Sequence, residues 1–129
     1  MAVFSVKQIC YFSAAHVLRG YPLACERLHG HNYKVIVEVS AETLNALGMV
    51  MDYVDIQNIS NRHIEKLDHK YLNDLQPFDH LNPTAENVAQ WLYEHIAYDI
   101  KQLVTDNNPY LKSITIWETD HNSVTYQPE

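Results

Sequence analysis

Two stretches near the start of the chain alternate between apolar and polar residues, as half-buried β-strands do. From 3 to 16 the even positions are mostly apolar and end in a histidine. From 29 to 39 the odd positions carry two histidines, a tyrosine and three valines, whereas the even positions are mostly polar. The loop of about a dozen residues between them needs no crossover helix. The pattern therefore predicts a long antiparallel hairpin.

Two later segments have a helical period instead. Between 53 and 67 the apolar residues recur roughly every three or four positions, and Asp52 or Asp55 can serve as the N-cap. Thr84 can cap a second helix, whose apolar stripe runs over 85–103. We therefore expect two amphipathic helices after the hairpin.

Alternation returns near the end of the chain, over 114–118 and again over 124–126, which predicts two final strands. The expected order is ββααββ. Runs of strands separated from a run of helices indicate an α+β fold, with an antiparallel sheet and two helices on one face. We expect one domain over residues 1–129, because the length suits one domain and no linker or repeat divides it.

The composition narrows the class of function. Hydrophobic residues make up 47% and charged residues 19%, with 3 Gly and 5 Pro, which excludes collagen-like and disordered chains. The net charge of −7 and the scattered cations argue against a nucleic-acid partner. No apolar run approaches the ~20 residues of a membrane span, and no secretory signal is evident. We expect a cytoplasmic protein without a membrane partner, in which Cys10 and Cys25 are thiols.

Histidine is the candidate chemistry. His29 and His31 stand two positions apart on one strand face, and His16 ends the facing strand. Three neutral imidazoles with an open fourth position form the catalytic arrangement of zinc. An HxH pair can also arise by chance, since the chain has eight histidines. His16 in register favours a metal site, because imidazoles on an apolar face need partners.

Cys25 lies four residues before His29 in the hairpin loop. A nearby Zn²⁺ or imidazole would lower the thiol pKa and make Cys25 a usable base or nucleophile. Spacing equally allows a fourth ligand of a structural zinc site, or an inert thiol.

Three other motifs carry acidic or histidine side chains. Asp68 and His69 can act as a proton-transfer pair if a helix end turns them together, or can be a solvated helix terminus. Glu118 continues the buried face of its strand, where it can accept from the two N–H donors of a guanine- or pterin-like ring, or reach solvent. Thr84 and Glu86 first indicate a helix N-terminus, and the pattern alone shows no ligand role.

Six motifs in order resemble the 6-pyruvoyltetrahydropterin synthase family. They are FSAAH at 12–16, CERLHGHNY at 25–33, MDY at 51–53, LDHKYLND at 67–74, NPTAEN at 82–87 and WET at 117–119. The interval of three residues between Cys25 and HGH resembles that of the bacterial 6-carboxytetrahydropterin synthase branch. The resemblance implies the tunnelling fold, in which protomers join their sheets around a barrel and two rings stack, often as a hexamer.

The resemblance also implies a reaction. The substrate would be 7,8-dihydroneopterin triphosphate, cut to 6-carboxy-5,6,7,8-tetrahydropterin, acetaldehyde and triphosphate on the route to queuosine. Zn²⁺ on the three histidines would acidify the side-chain hydroxyls as a Lewis acid. Cys25 would be the general base, and Asp68 with His69 would move protons on the other side. Glu118 would anchor the pterin, assisted by Thr84 and Glu86 across a subunit boundary.

Glu26 leaves the product open, because it directly follows Cys25. Relatives that make 6-hydroxymethyl-dihydropterin for folate use a glutamate near this position, and 6-pyruvoyltetrahydropterin is a third outcome in the family. A zinc-stabilised oligomeric module without turnover is an alternative of another class. It would leave Glu118, Asp68 and His69 without purpose. A zinc hydrolase of another lineage lacks its HExxH-like general base here.

Overall fold

A five-stranded sheet with two helices on one face forms the fold of this computed structural model, which describes residues 2–20 and 27–129. The elements are β1 (Phe4–His16), β2 (His29–Ala41), α1 (Tyr53–Ile64), β3 (Lys70–Tyr71), α2 (Ala85–Lys101), β4 (Tyr110–Trp117) and β5 (Ser123–Tyr126). The strand order is β3-β1-β2-β4-β5. The α+β class is confirmed, and β3 is an addition that two residues were too few to reveal by alternation.

The predicted hairpin is present, and its register decides where the site forms. β1 pairs antiparallel with β2 from Phe4 opposite Ala41 to His16 opposite His29. The expected alternation of burial holds in both strands: in β1 the even positions from Cys10 onward are buried, and in β2 the odd positions from Tyr33 onward. β2 lies in the centre of the sheet, between β1 and β4.

The core fills the space between this face and the helices. Its fully buried side chains come from every layer: Tyr33, Val35 and Val37 of β2, Leu92 and Ile96 of α2, and Ile114 and Ile116 of β4. Cys10 belongs to the core as predicted, and burial raises the pKa of its thiol. Close packing of this kind holds the strand ends in fixed positions, which is what a ligand site needs.

The helix boundaries differ slightly from the periodic pattern. Asp52, and not Asp55, caps α1 by accepting a hydrogen bond from the amide of Val54. α1 ends at Ile64, and the apolar period to Leu67 continues through a turn that still buries Leu67. α2 begins after its predicted cap and ends at Lys101, before the exposed Leu103.

Among residues 2–20 and 27–129, no helix combines the length and the apolar character needed to cross a bilayer.

Candidate functional site

Three histidines meet at one end of the hairpin. The register pairs His16 with His29 and places His31 two positions further along β2, on the same face. The ring centroids of His16 lie 4.5 Å from those of His29 and 5.2 Å from those of His31, and His29 and His31 are 4.9 Å apart. One nitrogen from each ring lies within 4.8 Å of the other two. The predicted cluster therefore has the dimensions of a single-ion site.

Backbone carbonyls fix the tautomers of two of these rings. His16 Nδ1 donates to the carbonyl of Pro83 at 2.8 Å, and His29 Nδ1 donates to that of Arg27 at 2.7 Å. Because a carbonyl only accepts, both hydrogens lie on Nδ1 and both Nε2 atoms present lone pairs. The two Nε2 atoms are 2.9 Å apart. Lone pairs this close repel each other unless a proton or a cation lies between them.

His31 supplies a third unpaired nitrogen. Its Nε2 is buried and has no hydrogen-bond partner in the described part of the chain. Glu118 Oε1 lies 3.2 Å from it, within ion-pair distance but without the geometry of a hydrogen bond. Burial lowers the pKa of His31 and of His16, against the opposing charge of Glu118, and so favours the neutral ring that binds metals. These three nitrogens fit a metal ion.

Tyr33 packs against two of the three rings. It is fully buried, stacks on Phe12 at 4.5 Å, and meets His16 and His31 edge to face. Its hydroxyl lies 3.4 Å from His16 Nδ1. Burial, with a smaller contribution from Glu118, raises the pKa of Tyr33, so the hydroxyl stays protonated. Alternation assigned Tyr33 to the core, and only the structure reveals that it also supports the centre.

Glu118 stands at the rim of the centre, directly after β4. It follows the buried Ile114 and Ile116 on the face predicted for it, and its side chain is 26% exposed. The turn after β4 is held by the Glu118 amide, which donates to the carbonyl of Asn122 at 3.1 Å. The carboxylate thus has one oxygen near His31 and remains open to solvent, where a ligand can reach it. Its pterin-binding role stays a prediction.

The segment around Thr84 builds the start of α2. Thr84 Oγ1 accepts from the amide of Asn87 at 3.1 Å, which is the capping bond expected from the sequence. The carbonyl of the preceding Pro83 accepts from His16, so the cap also orients a ring of the centre. Glu86 is exposed in the first turn, where a carboxylate complements the helix dipole. A ligand role for Thr84 and Glu86 remains a prediction.

Asp68 and His69 are in direct contact, with 3.0 Å between Asp68 Oδ2 and His69 Nδ1. The φ angle of His69 is 59°, a left-handed conformation that turns its ring back toward Asp68. Asp68 Oδ1 accepts from the amide of Ser13 at 2.9 Å, and the His69 amide donates to the carbonyl of Ser13 at 2.6 Å. The Ser13 bond, and then His69, lowers the pKa of Asp68.

The pair and the three-histidine centre occupy different places. No hydrogen bond or ion pair within residues 2–20 and 27–129 joins Asp68 or His69 to the three rings. Both groups border a cavity of about 510 Å³, which is lined by His31, Asn32 and His69 among others. The candidate residues Cys25 and Glu26 lie outside the described residues.

Two asparagines that sequence reasoning passed over hold the chain just after His16. Asn73 binds the amide and the carbonyl of Val17, both at 2.9 Å. Asn82 binds the amide and the carbonyl of Arg19 at 2.8 and 3.0 Å. The sequence signal for this role was the residue type, because the side-chain amide of an asparagine can bind a backbone donor and a backbone acceptor at the same time.

Asp68 yields a pH-dependent prediction. Its folded pKa lies below the ordinary 3.8, so its ionised form stabilises the fold at neutral pH, and this contribution is lost as the pH falls through the folded value. We expect Asp68→Asn to lower the free energy of unfolding at pH 7 and to differ less from the wild type at pH 3. Urea unfolding of metal-free protein at both pH values measures this, with the exposed Asp106→Asn as control. A difference that stays constant with pH would contradict it.

The chain resembles proteins of several related activities. It is 37% identical to human 6-pyruvoyl tetrahydrobiopterin synthase over 78% of this chain and 67% of that one. It is 35% identical to the dihydroneopterin monophosphate aldolase of Pyrococcus furiosus, over 83% and 82%. It is 28% identical to the 6-carboxy-5,6,7,8-tetrahydropterin synthase of Haemophilus influenzae, over 97% and 99%.

The fold is similar to that of solved structures with related names. The structure of 6-pyruvoyl tetrahydropterin synthase from Caenorhabditis elegans matches with a TM-score of 0.84 at 29% identity, covering 100% of this chain and 98% of that one. The family model for 6-pyruvoyl tetrahydropterin synthase matches residues 5–129. Together with the three-histidine centre at the end of the hairpin, this match shows that the chain belongs to the 6-pyruvoyl tetrahydropterin synthase family and has its tunnelling fold.

Proposed function

We propose that the protein is a zinc-dependent 6-carboxy-5,6,7,8-tetrahydropterin synthase. It converts 7,8-dihydroneopterin triphosphate and one water molecule into 6-carboxytetrahydropterin, acetaldehyde and triphosphate, a step toward queuosine. The observation that carries the proposal is the set of three converging imidazole nitrogens with the Glu118 carboxylate at its rim. A nitrogen-lined ion site beside a carboxylate suits a substrate that has both hydroxyl groups and an amide–amine ring edge.

His16, His29 and His31 are the residues that would hold zinc. Their three nitrogens leave a fourth position for water or substrate, which is typical of catalytic zinc. Bound zinc supplies Lewis acidity, which lowers the pKa of a hydroxyl group bound to it. Pro83 and Arg27 hold two of the rings by their Nδ1 atoms and so orient them as ligands.

Glu118 orients the ring of the substrate. Its partly exposed carboxylate accepts from the ring amide and the exocyclic amine of the pterin, a two-point contact between planar groups. Thr84 and Glu86, at the start of α2, assist this contact across a subunit boundary. Within its own chain, the residue before Thr84 orients an imidazole, because the carbonyl of Pro83 accepts from His16.

Asp68 and His69 move a proton. The ionised Asp68 accepts from His69 Nδ1–H and thereby leaves His69 Nε2 free to take or give a proton. The ring of His69 is 82% exposed, so it is accessible to a substrate or a neighbouring chain. A non-catalytic zinc module has no use for an exposed histidine held in a left-handed conformation against a carboxylate.

Cys25 is the proposed general base for the carbon-bound proton. It precedes His29 by four residues, and a thiolate near an imidazole or zinc suits proton abstraction at neutral pH. Glu26 supports a second candidate function, cleavage to 6-hydroxymethyl-dihydropterin, because a carboxylate base directly follows the thiol. The relative from Pyrococcus furiosus is named an aldolase, which supports considering this second product. A third possible product is 6-pyruvoyltetrahydropterin, and the human relative is named for a synthase of that type.

Product analysis tests the function. With 7,8-dihydroneopterin triphosphate, we expect the wild type to release acetaldehyde and 6-carboxytetrahydropterin. Cys25→Ala should abolish both products and Glu26→Gln should change the rate little, because Cys25 is the base. Chromatography of the pterins with an aldehyde assay measures this.

The remaining outcomes of that experiment separate the alternatives. If Cys25→Ala still consumes substrate and releases 6-hydroxymethyl-dihydropterin, Glu26 provides a second route. Carboxypterin formed at the wild-type rate by Cys25→Ala removes Cys25 from the mechanism. A wild type that binds zinc and turns over none of these pterins contradicts the proposed function.

The metal has its own test. We expect about one Zn²⁺ per chain in the wild type, and loss of most of it together with activity in His31→Ala, since three ligands become two. Elemental analysis after dialysis against a chelator measures the occupancy. The exposed His121→Ala is the matched control and should retain the metal. Full zinc occupancy in His31→Ala would remove His31 from the ligand set.

The assembly we propose is a ring oligomer, a hexamer formed as a dimer of trimers with active sites between chains. β3 covers β1 only at Ala14 and Ala15, so the rest of that edge, from Phe4 on, has no strand partner within the described chain. A long open edge favours pairing with another strand. We expect light scattering at micromolar concentration to give six times the chain mass of 15.0 kDa. A monomer would contradict the assembly.

A further inference from the structure

A second cluster of titratable side chains lies where α1 packs on α2, and none of the roles above uses it. Its centre is His63 in the last turn of α1, which is 8% exposed. His63 Nε2 lies 2.6 Å from Asp99 Oδ2, and the ring packs against Trp91 and His95 with centroids 6.4 and 5.3 Å away. His63 therefore bridges the two helices by a buried side-chain hydrogen bond.

The partners of His63 fix its hydrogen. Lys66 Nζ lies 3.4 Å from His63 Nδ1, and an ammonium group only donates. His63 Nδ1 is therefore the acceptor, and Nε2–H donates to Asp99 as a charge-assisted bond. Burial lowers the pKa of His63, which keeps the ring in this neutral form. Arg62 Nη2, 3.7 Å from Asp99 Oδ2, adds a second contact from the same helical turn.

The chain runs directly from this turn into the Asp68–His69 pair. The carbonyl of Ile64 accepts from the amides of Leu67 at 2.9 Å and of Asp68 at 3.0 Å, so the turn after α1 is continuous with the helix. Five residues after His63, Asp68 reaches the amide of Ser13 on β1. The segment is thus attached to α2 at one end and to the sheet at the other.

A directional hydrogen bond adds a constraint on rotation to the apolar packing of this helix end. Ile64 and Leu67 are buried, and burial fixes how deep the turn lies. The hydrophobic effect is non-directional, whereas a hydrogen bond to a carboxylate constrains both distance and angle. The His63–Asp99 hydrogen bond, with the longer Arg62–Asp99 ion pair beside it, joins the last turn of α1 to α2, and a roll of that turn would carry Asp68 away from Ser13.

We propose that His63 and Asp99 are positioning residues that hold the Asp68–His69 pair in register with β1. The bond between them sets the rotation of the α1 end, and the turn transmits that rotation to Asp68. Neither residue touches the candidate site. The catalytic consequence rests on the proposed function of Asp68 and His69, whereas the structural consequence does not.

Amide hydrogen exchange tests the structural part. The amides of Ser13 and His69 report directly on the contacts between the pair and β1. We expect His63→Leu to speed exchange at both amides by about tenfold or more, the effect of losing one charge-assisted hydrogen bond, while Val37 in the centre of the sheet stays unchanged. His63→Gln, which keeps an N–H donor near the Nε2 position, should restore most of the protection.

Kinetics test the catalytic part. We expect kcat of His63→Leu to fall about tenfold with KM within about twofold, because substrate binding uses other residues and the proton-transfer pair is displaced. The matched control is His80→Leu, which removes a histidine of an exposed pair in which Nδ1 lies 2.8 Å from Asp79 Oδ1. This control should change neither the exchange at Ser13 and His69 nor kcat.

Several results would overturn the proposal. Unchanged exchange at Ser13 and His69 in His63→Leu removes the positioning role, and a uniform increase that includes Val37 shows a general stabilising role instead. His63→Gln as impaired as His63→Leu has the same consequence. If His63→Leu does not fold, Asp99→Ala removes the acceptor and must give the same local pattern. Local exchange without any pterin turnover in the wild type refutes the proposed function and leaves the positioning intact.

Discussion

The register of β1 against β2 is the constraint on which the candidate site depends. Side chains alternate with a period of two, so pairing His16 with His29 places both, and His31, on the helix-facing side. A slip of one residue would move every one of these rings relative to its partner and would turn the buried valines of β2 outward. The apolar face that drives packing therefore also brings the three histidines of the candidate site together.

The same alternation explains why so much of the fold was predictable. Two strands of thirteen residues each show the period of two clearly. The N-cap residues Asp52 and Thr84 mark where the two helices begin. β3 could not be predicted, because two residues have no period and its pairing with β1 depends on the path of the chain after α1. The C-terminal ends of α1 and α2 were harder to predict because the apolar spacing continues past each helix into the following turn.

The ligand types of the site were visible in the sequence, and their orientation was not. HGH and the alternation place three imidazoles on one face, but the tautomers of His16 and His29 depend on the carbonyls of Pro83 and Arg27. The first of these comes from 67 residues away along the chain, and every residue has a carbonyl, so no residue type marks it. Likewise the left-handed conformation of His69 could not be predicted, because glycine is the residue type that usually marks such a conformation and this position is a histidine.

β1 connects the two halves of the candidate chemistry. The backbone of its residue Ser13 binds Asp68 and His69, and three positions later His16 belongs to the candidate ion site. Because a strand rises by about 3.3 Å per residue, β1 fixes the distance between these two points at about 10 Å. A loop between the two points would tolerate insertions. A single residue added to this part of β1 would instead lengthen the spacing by one residue and turn the side chains that follow it to the opposite face of the sheet. Length variation in homologous chains should therefore collect in the hairpin loop and avoid the four residues from Ser13 to His16.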